Sequence, residues 1–229
     1  MTATEAARDG VSLPKLVARS ATAFVLLTLA VTGRLAPLTG FDALVSGEAH
    51  TVALAHPRWR TIMEAVTYTG GTVVIWPLVA VGCVTLLAYG RWRQAVFVVS
   101  AMIVTIEVRL LVVVAIARPR PVDKLVPASN YSFPSGHSTA SAAAALVLVM
   151  VCGPLLRRRW QRIALAAVAG GWAVTVGVSR VALVVHWPTD VLGAWLFTLT
   201  TVPAVGWAVH RVLGPPRSGA DQENPWASG

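Results

Sequence analysis

Two stretches of the 229-residue sequence gather residues able to move protons or grip an oxyanion at motif-like spacing. The first reads Arg118-Pro119-Arg120-Pro121 and, after a short loop, Phe133-Pro134-Ser135-Gly136-His137-Ser138; the second reads Ser179-Arg180, five residues, His186, three residues, Asp190. The inventory of arginines, histidines, small hydroxyls and one carboxylate suits a tetrahedral oxyanion. Arginine offers a planar fork of donors that matches phosphate oxygens and keeps its charge when partly dehydrated. His186 and Asp190 are one helical turn apart, and Pro188 favours helix initiation just before Asp190. A carboxylate so placed holds one imidazole nitrogen and leaves the other as a nucleophile. In the first stretch Pro134 stops the loop, Ser135 takes the expected N-cap position and Gly136 admits a close backbone approach. The first N–H groups of the Ala-rich helix that follows make an anion site.

The elements that must position these residues lie in a bilayer. Apolar residues make up 55% of the chain and charged residues 13%, half the charge of an average soluble domain. The apolar residues come in blocks of spanning length. This excludes a soluble enzyme, a disordered chain and a disulfide scaffold. The spacing predicts an all-α integral membrane protein with six transmembrane helices: Ser20 to about Leu38, Gly71 to Tyr89, Gln94 to Ala117, Gly136 to Val151, Ile163 to about Val181, and Thr189 to Val209. Between the first and second, Phe41 to Thr69 is mixed in polarity and reads as one amphipathic helix at the interface. Residues 1–19 form an N-terminal segment, 20–212 the membrane domain and 213–229, rich in Pro and Gly, a disordered tail. Cys83 and Cys152 lie in or at the ends of apolar blocks and read as packing residues.

The net charge of +9 comes mainly from short clusters at the ends of apolar runs, not from a groove for nucleic acid. Lys15 and Arg19, Arg91 and Arg93, Arg157 to Arg162, and Arg211 with Arg217 all fall on one side of a six-span topology, which the positive-inside rule makes cytoplasmic. Both termini are then inside. Both chemical stretches, and Thr39 to Gly70, are outside.

The residues resemble the type 2 phosphatidic acid phosphatase (PAP2) superfamily, whose pattern is K-x6-R-P, P-S-G-H and S-R-x5-H-x3-D. The second part is Pro134-Ser135-Gly136-His137, and the third is Ser179-Arg180…His186…Asp190 with both spacings kept. The resemblance implies the six-helix bacterial membrane branch, acting without metal or cofactor on a lipid phosphate. His186 attacks phosphorus, Asp190 holds its ring and His137 protonates the leaving oxygen. Arg120, Ser135, Gly136 and Arg180 cradle the phosphate. Asp190 is the one carboxylate expected in the pocket, too few for a two-metal phosphatase. The first part departs from the pattern: Arg120-Pro121 is present, but Val113 stands at the lysine position. Arg109, one turn earlier, and Lys124 and Arg118 are accessory candidates, and which of them replaces the lysine is left open. The substrate candidates are phosphatidic acid, phosphatidylglycerol phosphate and a polyprenyl diphosphate, with oligomeric state unassigned. A relative that binds a phospholipid or transfers its phosphate is the alternative, and a small transporter a further one, although its polar residues would sit at mid-membrane. Glu107 and Arg109, charged residues inside a span, are functional candidates by type or a simple pair with neighbours.

Overall fold

The computed structural model describes residues 13–214. The expectations for residues 1–12 and for the tail from Pro215 onward lie outside the described residues. Within them the regular structure is α1 (Leu13–Thr32), α2 (Ala36–Ala55), α3 (Pro57–Thr69), α4 (Thr72–Ala88), α5 (Trp92–Ile116), α6 (Gly136–Cys152) with a 3₁₀ turn after it (Gly153–Leu155), α7 (Arg159–Ala182) and α8 (Pro188–Leu213). Six stretches are long and apolar enough to cross a membrane: α1, α3 with α4, α5, α6 with its 3₁₀ turn, α7 and α8. The protein is an all-helical multi-pass membrane protein.

Three features differ from the sequence reading. The first span ends at Thr32, not near Leu38, because Gly33 and a left-handed Arg34 (φ 50°) close the helix. Residues 13–19, read as preceding that span, are continuous with it. The single amphipathic helix expected over 41–69 is two helices. Pro57 has no N–H to donate and its ring would clash with the preceding turn, so α2 ends at Ala55, His56 turns the chain (φ −126°, ψ 80°) and α3 restarts.

The bundle is built around α6, which packs against α5, α7 and α8, while α1 packs along α8. Its run of Ala and Ser lets neighbouring backbones come close, and Ala140, Ala143 and Val147 meet Ile75, Val98, Ala101, Met102 and Val202 in the core. Cys83 and Cys152 pack against this cluster as free thiols. The outer faces are apolar: Leu29, Leu78, Val84, Leu111, Val114 and Val168 are all exposed, as expected where lipid is the solvent. Glu107 is on such an outer face, whereas Arg109, two residues on, turns inward and donates to the Pro134 carbonyl. The two charges inside α5 are not a pair.

The chain segments before α4, before α6 and before α8 meet at one end of the bundle. There Arg118 bonds Asp42, Arg60 Nη2 donates to the Leu125 carbonyl (2.9 Å) and Arg180 Nη1 to Thr67 Oγ1 (2.7 Å). At the opposite end Arg93 donates to the Leu213 carbonyl.

Candidate active site

The close of α7 delivers His186. Val184 holds a left-handed φ of 55°, which costs an ordinary L-residue about 1–2 kcal/mol. The turn it makes sends the Val184 N–H to the Val181 carbonyl (2.8 Å) and the Val185 N–H to that of Arg180 (3.1 Å), a Schellman closure with valine where glycine is usual. The His186 N–H reaches the same Arg180 carbonyl (3.3 Å). The five residues between Arg180 and His186 are therefore the length of a helix C-terminal closure, which brings motif arginine and motif histidine together. The next three reach one turn into α8, where Asp190 Oδ2 caps the helix by accepting the Trp187 N–H (2.9 Å) and the His186 Nδ1 hydrogen (3.3 Å).

These partners assign the tautomer. With the proton on Nδ1 toward Asp190, Nε2 carries the lone pair, and Arg120 Nη1 donates to it at 2.8 Å. His186 is almost fully buried, and that burial pushes its pKa down to about 4 against the opposing pull of Asp190. The ring is neutral at physiological pH, with Nε2 as the atom able to attack.

Arg120 does more than face a ligand. Nε donates to the Asn130 carbonyl, Nη1 to that of Val185 as well as to His186, and Nη2 to those of Ser129 and Tyr131. Every N–H of its guanidinium has an acceptor, so it staples the 129–131 loop to the α7–α8 turn, and a phosphate must displace one of these bonds to reach it. Burial lowers its pKa from the ordinary arginine value.

The Pro-Ser-Gly-His stretch is held from α8: the Ser135 N–H donates to the Asp190 carbonyl (3.1 Å). Phe133 lies against Gly193, where a Cβ would approach its ring to 2.5 Å. Ser135 is the N-cap residue of α6 by position, but its side chain makes no cap bond; buried, its Oγ accepts from Ser138 Oγ (2.9 Å). The N-terminus of α6 therefore keeps N–H groups uncapped by a side chain. Gly136 lies against the Arg109 guanidinium, and a Cβ there would meet it at 3.2 Å. His137, half-buried in the first turn, has no ring hydrogen bond to another described residue.

A cavity of about 920 Å³ opens over these groups, lined by Arg109, Arg120, Lys124, Arg180, Gly136, His137 and His186 among others, with no carboxylate in its wall. Arg180 is buried and its Nε has no partner among the described residues. An orphaned buried donor is costly, and a phosphate oxygen would satisfy it. Of the accessory candidates, Arg109 and Lys124 line the cavity. Arg118 does not: it lies behind Asp190, with Nη1 on Asp190 Oδ1 (2.5 Å) and on Thr189 Oγ1 (2.7 Å). Val113 is buried and outside the wall, whereas Arg109, one turn away, lines it. Ser135, expected in the cradle, lies outside the cavity wall: its N–H donates to the Asp190 carbonyl, its carbonyl accepts from Thr139 and its Oγ accepts from Ser138.

The sequence reading missed one residue of this site. Asp42 of α2, fully buried, accepts from Arg118 Nη2 (2.6 Å), the Thr189 N–H (3.1 Å) and Thr189 Oγ1 (2.6 Å). Asp190 is thus not the one carboxylate at the site. No spacing rule links position 42 to position 190; the sole signal was an acidic residue in an interfacial helix. Both carboxylates are engaged by Arg118, and among the described residues no group of three His, Cys, Asp or Glu is gathered with metal-holding geometry.

Below the cavity runs a second, apolar groove of about 810 Å³ between α4, α5, α6 and α7, reaching Tyr89 and Arg91 at the other end of the bundle. Its wall begins one turn from the cavity's on three helices: Ile75 after Thr72, Met102 before Ile106, and Ala144 after Ala140.

A family model described as the PAP2 superfamily matches residues 78–213. Phosphatidylglycerophosphatase B of Escherichia coli (strain K12) is 38% identical over 87 residues, 38% of this chain and 32% of that protein. Phosphatidylglycerophosphatase B of Bacillus subtilis (strain 168) is 29% identical over 148 residues, covering 63% of this chain and 72% of that one. The match thus spans under a third of the E. coli relative's own length at 32%. The crystal structure of a transmembrane PAP2 type phosphatidylglycerolphosphate phosphatase from Bacillus subtilis superposes with a TM-score of 0.75 and 25% identity, over 86% of this chain and 96% of that one.

Proposed function

The chain belongs to the PAP2 superfamily, and from that premise we propose that it is a membrane lipid phosphate phosphatase working through a phosphohistidine. The observation that carries this reading is His186: one ring nitrogen is held by Asp190, and the other stands at a cavity walled by four cations, His137 and no carboxylate. His186 Nε2 attacks phosphorus and the P–O bond to the lipid breaks. The leaving oxygen takes its proton from His137, and Asp190 stabilises the imidazolium through Nδ1–H. A water then gives a proton to His137 and attacks phosphorus, the P–N bond breaks and inorganic phosphate leaves. Arg109, Arg180 and the N–H groups at the start of α6 oppose the charge that gathers on the phosphoryl oxygens.

The apolar groove adjoining the cavity supports a lipid substrate, whose hydrocarbon stays among helices while the headgroup meets the cations. The named relatives point to phosphatidylglycerol phosphate as the first substrate to try, with phosphatidic acid and a polyprenyl diphosphate beside it. We assign the protein to a bacterial cell membrane, termini inside and the active site on the outer face, on the strength of the arginines at the end opposite the cavity. A reporter after Gly229 is then cytoplasmic and one inserted near Ala128 is outside; the reverse result would move the site to the inner face.

The test is phosphate release from that panel by the purified protein in detergent. Release should continue in a strong chelator, because both site carboxylates are already bound by Arg118. Strict dependence on added divalent metal would overturn the mechanism.

A further inference from the structure

We propose that Asp42 is a positioning residue for the nucleophile, acting through Arg118 on Asp190, so that the interfacial helix α2 belongs to the catalytic apparatus. The inference rests on the reading of His186 as nucleophile. Arg118 is one guanidinium between two carboxylates, with Nη2 on Asp42 Oδ2 at 2.6 Å and Nη1 on Asp190 Oδ1 at 2.5 Å. All three groups are buried or nearly so, where charges are weakly screened. The trio carries one net negative charge, directed at Nδ1–H of His186 through Asp190.

That surplus matters at one moment. When Nε2 bonds to phosphorus, the ring becomes an imidazolium and gains from every negative charge behind it. Remove the charge of Asp42, and Arg118 is left to neutralise Asp190 alone; the trio becomes neutral and the imidazolium loses support. Asp42 also fixes position. Its Oδ1 accepts the N–H of Thr189, in the first turn of α8, and its Oδ2 the Thr189 hydroxyl. It therefore caps α8 from another helix while Asp190 caps it from within.

The experiment compares full-length D42N, T189V, R118Q, the D42N/R118Q double variant and H186A in detergent. It measures phosphoenzyme formation per trappable site in a single turnover, KM, and inhibition by inorganic phosphate. D42N keeps the shape and removes the charge: phosphoenzyme formation should fall about tenfold, which is about 1.4 kcal/mol of transition-state stabilisation, with KM and phosphate inhibition unchanged because the cavity cations are untouched. T189V loosens the same tether without altering charge and should stay within about twofold of the parent, a change small beside the tenfold step. In the R118Q background D42N should cost clearly less, because the guanidinium that links Asp42 to Asp190 is gone. Wild-type turnover in D42N would overturn the proposal, as would an equal loss in both backgrounds. A T189V loss of about tenfold or more would assign the effect to the tether rather than the charge, an outcome that can be read even if D42N does not fold. H186A separates the two readings: activity in H186A removes the nucleophile assignment itself, whereas an inactive H186A beside an unaffected D42N removes only Asp42.

Discussion

Two groups of charge flank His186 and are built on opposite plans. Behind the ring, Asp42, Arg118, Thr189 and Asp190 satisfy one another at distances between 2.5 and 3.1 Å. In front, Arg109, Lys124 and Arg180 share a cavity wall with no carboxylate, and Arg180 keeps a buried N–H unpaired. A saturated cluster gains nothing from a ligand and holds geometry, while an unsaturated one is completed by an anion. Arg120 stands between the plans: its donors are all used, yet one of them rests on the attacking nitrogen.

The comparison predicts a graded series of effects. The largest comes from the ring that both clusters serve. H186A should reduce phosphate release at least about 10³-fold, as loss of a covalent nucleophile does, and no acid-labile phosphate should be trapped on it. Next are two of the cations that line the cavity. R180Q and R109Q should each lower kcat/KM about tenfold to a hundredfold, since a charge-assisted hydrogen bond is worth about 1.5–3 kcal/mol. Equal activity in R180Q and the parent would mean that its free Nε is not where phosphate binds. A smaller effect belongs to the vacant lysine position. V113K, which on the motif alone ought to add a phosphate contact and raise kcat/KM, should instead lower expression or thermal stability in detergent, because Val113 is buried away from the cavity and an unpaired ammonium there is costly. A clear gain in kcat/KM would show that position 113 reaches the phosphate and that Arg109 has not replaced it.

The smallest expected effect is that of acid on the nucleophile. With the His186 pKa pushed down to about 4 by burial, the neutral Nδ1–H form persists as pH falls from 7 to 5, and ring ¹⁵N shifts should show no titration in that interval. A midpoint near 6.5 would mean that water reaches the ring and that the saturated cluster does not enclose it. The sign for stability follows: the unfolded chain takes up this proton first, near pH 6.5, so the fold loses stability as pH drops from there toward 4. H186Q should flatten that loss.

Much of this was legible in the chain. Six spans followed from apolar run length, because a bilayer demands about 20 apolar residues per helix whatever surrounds them. The S-R-x5-H-x3-D spacing is local geometry, a helix closure followed by one turn of the next helix, and local geometry is written in consecutive residues. What stayed hidden depends on distant segments meeting. That Asp42 lies behind Asp190, that Arg109 reaches the cavity wall beside Gly136, and that Arg120 spends its donors on carbonyls at 129–131 and 185 are all consequences of packing at one end of the bundle. Residue type and spacing determined which groups do chemistry. Tertiary structure alone decided which charges are saturated and which are left for a ligand, because a charge's partners in a low-dielectric interior are set by proximity in space, on which separation along the chain has no bearing.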